Sequence, residues 1–115
     1  MTDLSFKHVS VAESGGDYFE VLFADDEKGD DSYFLLQRQF ESPDYGRVYV
    51  ESHLPALSGH FRIRKAELRR NLLSLEIMCR PPETVRVRFH ADGTQFSRLK
   101  RVLAIMFPPS VLKAG

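Results

Sequence analysis

The residues best suited to chemistry are few and scattered. His8, His53, His60 and His90 stand in separate segments, and only Glu51-Ser52-His53 with His60 has ligand-like spacing, because residues two apart on a strand share a face. That spacing is weakly specific, and surface or hydrogen-bonded histidines are far commoner than zinc ligands. The single Cys79 excludes an internal disulfide and cannot by itself build a cysteine zinc site. A nucleophilic thiol needs a lowered pKa and a nearby base, whereas Cys79 closes an apolar run beside Arg80 and Pro81-Pro82, so it reads as a small packed side chain. The cluster Asp25, Asp26, Glu27, Asp30 and Asp31 lacks the alternating ligand ladder and twelfth-position Glu of a calcium loop and reads as an exposed turn. No phosphate-binding glycine loop, nucleophile elbow or two-histidine helix motif is present. The expectation is a protein that is not an enzyme, with no catalytic residue, no metal and no cofactor.

Charge is the stronger signal. Residues 1 to 45 carry eleven Asp/Glu against Lys7, Lys28 and Arg38, a net of −8, and the remainder carries thirteen Lys/Arg against five Asp/Glu, a net of +8. A chain of zero formal net charge can thus present one acidic and one basic surface, an arrangement suited to steering a charged macromolecule. The basic residues Arg62, Arg64, Lys65, Arg69, Arg70, Arg86 and Arg88, near Phe61 and Phe89, suggest a sheet face able to track phosphates. They serve equally as a solvated outer face or as partners for the acidic half.

These side chains must be positioned mainly by strands. Phe19, Val21 and Phe23 alternate with Tyr18, Glu20 and Leu22, and Gly15-Gly16 before them marks a hairpin, whereas the pattern over Leu4 to Val11 is loose. Tyr33 to Phe40 places Phe34, Leu36, Arg38 and Phe40 on one face and Tyr33, Leu35, Gln37 and Gln39 on the other. An arginine on the apolar face must reach a carboxylate or the sheet edge. After the turn Ser42-Pro43-Asp44-Tyr45-Gly46, Val48 and Val50 alternate with Arg47, Tyr49, Glu51 and His53. Residues 61 to 78 fit one amphipathic helix or a hairpin. The alternation of Phe61/Ile63 and of Leu73/Leu75/Ile77, with Asn71 suited to a turn, favours the hairpin. Val85, Val87 and Phe89 form the clearest strand. Asp92 with Gln95 three residues on is a capping signature before helical spacing at Phe96, Leu99, Leu103 and Met106, and Pro108-Pro109 stops that helix.

The pattern predicts an α+β fold: a mostly antiparallel sheet of about six or seven strands with one C-terminal helix packed on one face. At 115 residues and 43% hydrophobic, residues 1–115 read as a single domain. Apolar runs fall short of a membrane helix, and the opening Met-Thr-Asp-Leu-Ser-Phe-Lys has no secretory pattern, so a cytoplasmic address is expected.

The run Ser32 to Glu41 (Ser-Tyr-Phe-Leu-Leu-Gln-Arg-Gln-Phe-Glu), then Val48-Tyr-Val-Glu51, Ser58-Gly59, Ala66-Glu67-Leu68, Leu73 to Ile77 and Val85-Arg-Val-Arg-Phe89 before a terminal helix resembles the immunity protein 10 family over residues 18 to 107. Where that family suggests a glycine- and tyrosine-rich stretch after Ser-Gly, this chain has His60-Phe61-Arg62. The resemblance implies a non-catalytic bacterial cytosolic protein that protects its producer by binding and neutralising a cognate protein toxin. Candidate partner-binding residues are Asp25, Asp26, Glu27, Asp30, Asp31, Gln37, Arg38, Tyr49 and Glu51. A structural ion pair is the competing role for Arg38 and Glu51. The alternative function is a small nucleic-acid-binding module using the basic sheet face.

Overall fold

The computed structural model describes residues 1–25, 32–40 and 46–114. Among these residues nine strands and one α-helix follow in order: β1 (Thr2–Ser5), β2 (His8–Ser14), β3 (Tyr18–Ala24), β4 (Tyr33–Gln39), β5 (Arg47–Ser52), β6 (Gly59–Arg69), β7 (Leu72–Ile77), β8 (Glu83–Arg88), α1 (Gly93–Met106) and β9 (Leu112–Ala114). The fold is α+β and mostly antiparallel, as expected; β1 with β8 and β6 with β9 are the parallel pairs. Sequence reading undercounted the strands for two reasons. Its loose window Leu4 to Val11 is two strands, because inward positions run Leu4, Phe6 and then Val9, Val11, a change of parity at the Phe6-Lys7 link. The second is β9, which the prolines after α1 hid; its three residues add to the edge of β6. Residues 61 to 78 are the hairpin, turning at Arg70-Asn71.

Strand order along the sheet is β1-β8-β7-β6-β5-β4-β3-β2, with β9 alongside β6. The two outermost strands of this path are consecutive in the chain. Ser5 and His8 are three virtual bonds apart, at most about 11 Å, so the sheet must curl until its ends approach. The Phe23 ring on β3 accordingly lies 5.4 Å from that of Phe89 beyond β8, and 6.4 Å from that of Phe34 on β4. One apolar face is thereby enclosed: Phe19, Val21, Phe34, Leu36, Val48, Val50, Leu73, Leu75, Ile77, Val85 and Val87 all point into it and are buried.

Long β6 makes the curl possible. Its first residues pair with β5 and its later ones with β9 on one edge, with β7 on the other, and a register shift between Ile63 and Lys65 moves the inward set from Ile63 to Ala66 and Leu68. A bulge of this kind bends a strand and increases its twist. Gly59 opens β6 at φ +146°, where an L side chain is strained, and a Cβ there would sit 3.3 Å from the Phe61 ring.

The helix packs against β2, β3 and β9 and buries Leu99, Val102, Leu103 and Met106 in the same core. Its start is a full capping box: the Gln95 amide donates to Asp92 Oδ1 at 2.7 Å and the Asp92 amide to Gln95 Oε1 at 2.9 Å. Arg101 pairs with Glu13 of β2, holding the carboxyl below its ordinary range through that hydrogen bond. Among the described residues no helix is long and apolar enough to cross a membrane.

Phe23→Ala should cost about 3–5 kcal/mol of unfolding free energy in urea, because its ring bridges the two ends of the curled sheet. A loss below about 1 kcal/mol would show that the enclosed core is not the stabilising feature.

Candidate functional site

The inner face is largely taken up by the core, and on the outer face of β3, β4, β5 and the start of β6 polar and aromatic side chains gather. The strand register aligns them. Glu20, Gln37, Tyr49 and His60 form one row across four strands, and Leu22, Leu35 and Glu51 form the next. Tyr33 stands diagonal to Glu51, within reach of a long aromatic side chain.

Glu51 is the centre of this surface. Its Oε1 accepts from Tyr49 Oη at 2.7 Å and its Oε2 from Tyr33 Oη at 2.9 Å. Two phenol donors favour the charged carboxylate, so the Glu51 pKa is held below its ordinary value, the Tyr49 bond contributing most and the Tyr33 bond next. The same bonds raise both tyrosines, since losing a phenol proton would break a bond and place a second negative charge beside the carboxylate. Beside this clamp, Gln37 Nε2 donates to Tyr18 Oη at 2.5 Å and Tyr18 Oη donates to Glu20 Oε1 at 3.2 Å. Partial burial is the main reason the Tyr18 pKa is raised. The His60 ring lies 5.0 Å from that of Tyr49 at 50°.

Chemically, these shifts move Glu51 and its tyrosines away from neutrality, which makes them poorer proton shuttles near pH 7. What the network does instead is hold three tyrosine rings in place. Tyrosine offers a large amphipathic contact area with few rotatable bonds and is enriched at the energetic centres of protein interfaces. Glu51, His53 and His60 do not converge. His53 Nδ1 lies 3.2 Å from the Tyr33 amide and 3.1 Å from its carbonyl, bonding one or the other according to tautomer, while His60 packs on Tyr49. Among the described residues no group of three or more His, Cys, Asp or Glu is placed to hold a metal ion.

Of the residues singled out from sequence, Gln37, Tyr49 and Glu51 come together on this face. Arg38 does not. It projects from the opposite face of β4, donates to the Met106 carbonyl at the C-terminus of α1 and stacks 4.7 Å from the Phe40 ring centroid. A cation there also complements the negative end of the helix dipole. Asp25 is exposed after β3, where its Oδ1 accepts the Lys7 amide at 3.1 Å and so fastens the link between the sheet's two ends. Asp26, Glu27, Asp30 and Asp31 lie outside the described residues. Tyr18, Glu20, Tyr33 and His60 belong to the face but are not among the partner-binding candidates; His60 enters the sequence reading only through its ligand-like spacing with Glu51 and His53. Strand alternation assigned Tyr18, Glu20 and Tyr33 to polar faces, and only the cross-strand register reveals that they meet.

The basic half is interleaved with acids. Arg86 lies 4.0 Å from Asp3, Arg64 3.2 Å from Glu76 and Arg69 2.7 Å from Glu67. Asp3 and Glu13, from the acidic half of the sequence, thus sit among arginines, and the segregation along the chain does not become two pure poles among the described residues.

A scan against protein-family models finds no match for the chain, and a search of curated proteins finds none.

Replacing Glu51 with Gln should lower the ionisation midpoints of Tyr33 and Tyr49 in an ultraviolet absorbance titration. Stability has a defined pH signature. Glu51 is depressed in the fold, so its contribution is present above the ordinary carboxylate range and is lost as pH falls through the folded value. The two tyrosines are raised, so theirs is present below about pH 10 and is lost as pH rises through their folded values. The gap between wild type and Glu51→Gln should therefore be widest at neutral pH and narrow toward both extremes; a gap unchanged by pH would refute the clamp.

Proposed function

We propose that this chain is a non-catalytic binding protein of the immunity type, which neutralises a bacterial protein toxin in the cytoplasm of the producing cell by covering the toxin's working surface with the outer face of β3 to β6. The observation that carries this reading is the clamp of Tyr33 and Tyr49 on Glu51, flanked by Gln37, Tyr18 and His60. Rings fixed before binding lose little rotamer freedom on association, the costliest part of burying a flexible surface. The residues that carry the resemblance to the immunity protein 10 family include Tyr49 and Glu51, the two that form one arm of the clamp. A neutralising partner needs complementarity and rigidity, and a sheet whose inner face is largely buried supplies a rigid platform.

The second reading, nucleic-acid binding, draws on the arginines of β6 and β8. Their pairing with Asp3, Glu67 and Glu76 interrupts the continuous run of free cations that a phosphate backbone requires. Salt-sensitive binding to a random oligonucleotide, lost on Arg86→Ala with Arg88→Ala, would favour it over the first.

In a pull-down with the toxin encoded beside this gene, wild type should form a stoichiometric complex. Tyr49→Ala should weaken that complex by about 2 kcal/mol, roughly thirtyfold in Kd, while the fold stays intact by circular dichroism. No complex, or a complex indifferent to both Tyr49→Ala and Glu51→Ala, would remove this face from the account.

A further inference from the structure

Next to the tyrosine face, two arginines stand directly opposite each other: Arg47 on β5 is in register with Arg62 on β6, and both are exposed. Among the described residues neither guanidinium takes part in an ion pair, whereas Arg64, Arg69, Arg86 and Arg101 each do. Like charges facing across a strand pair oppose folding. The site also has an apolar component. Arg38, Arg62 and Arg64 line a groove of about 360 Å³ whose apolar walls include Val48, Ile63 and Phe107. It opens where β6 has left β5 at Arg62 and has not yet met β9 at Ala66, the stretch that contains the bulge.

We infer that this corner of the binding face receives an acidic segment of the protein partner, with carboxylates bridging Arg47 and Arg62 and an adjoining apolar side chain entering the groove. This rests on the protein-binding reading above and assigns the chemistry of the partner. Planar guanidiniums bind carboxylates bidentately, and two of them side by side match two acidic residues of one segment. Charge complementarity selects an acidic peptide over an arbitrary apolar one. The apolar walls, and the carboxylates interspersed through the rest of the basic face, select it over a phosphate backbone.

The probe is a fluorescein-labelled peptide, Glu-Asp-Leu-Phe-Asp-Glu, compared by anisotropy with its amide counterpart Gln-Asn-Leu-Phe-Asn-Gln on the full chain at low salt. The acidic peptide should bind saturably with Kd below about 1 mM, and the amide peptide at least about tenfold more weakly. Arg47→Glu with Arg62→Glu should abolish binding, and Lys100→Ala on the exposed side of α1 should leave it unchanged. A second measurement needs no ligand: Arg62→Glu alone turns a repulsive pair into an attractive one and should raise Tm by about 1 to 5 °C. Equal binding of both peptides, no saturation below about 1 mM, tighter binding of a single-stranded oligonucleotide of equal charge, or a lowered Tm for Arg62→Glu would each overturn the assignment. If the peptide fails while Tyr49→Ala still disrupts the toxin complex, only the acidic-partner assignment falls; if neither variant affects any complex, the binding face falls with it.

Discussion

Closure of the sheet upon itself is the constraint from which the other features follow. The two-residue link Phe6-Lys7 ties the outermost strands, and Phe23 meets Phe89 across the enclosed space, so each strand from β3 to β8 must turn its apolar positions the same way. Burying one large apolar side chain contributes about 1.5–3 kcal/mol, and the inner face buries many of them together with one side of α1. Surface ion pairs contribute about 0–1 kcal/mol each. The core therefore decides the fold, and the outer surface can hold arrangements that are locally unfavourable.

That margin is used in two ways. On the outer face of β4 and β5, Glu51 spends its acceptor capacity on two phenol groups, fixing rings that would otherwise sample several rotamers. A few residues away, Arg47 faces Arg62 with no carboxylate of the described residues paired to either, a combination a sequence selected for stability alone would avoid. Both features lie on strands held rigid by the same core, so a partner meets a surface ordered in advance. Elsewhere Arg64, Arg69, Arg86 and Arg101 each have a carboxylate within 4.0 Å, whereas Arg47 and Arg62 meet each other.

Arg38 shows how the closed sheet reassigns a residue. Alternation correctly put it on the apolar side of β4, and an unpaired guanidinium there would be costly. The C-terminal turn of α1 ends against that position, and the Met106 carbonyl accepts from it. A residue that reads as a contact for a partner thus fastens the helix to the sheet. Asp25 has a comparable part, capping the Lys7 amide at the link between the ends.

Local patterns along the chain were sufficient for the class of fold, the capped helix and the face of each central strand, and they favoured a hairpin over a helix for residues 61 to 78, because side-chain alternation, turn residues and caps act over a few neighbours. They also separated Gln37, Tyr49 and Glu51 from Phe34 and Leu36. They did not specify that β1 and β2 are distinct strands, that β9 returns to β6, or that Tyr18 and Tyr33 join the Glu51 surface. Each of those depends on which strands pair and in what register, a property of contacts between residues far apart in sequence. The acidic and basic halves likewise were plain in the sequence, but their distribution in space was decided by the curl that carries Asp3 to Arg86 and Glu13 to Arg101.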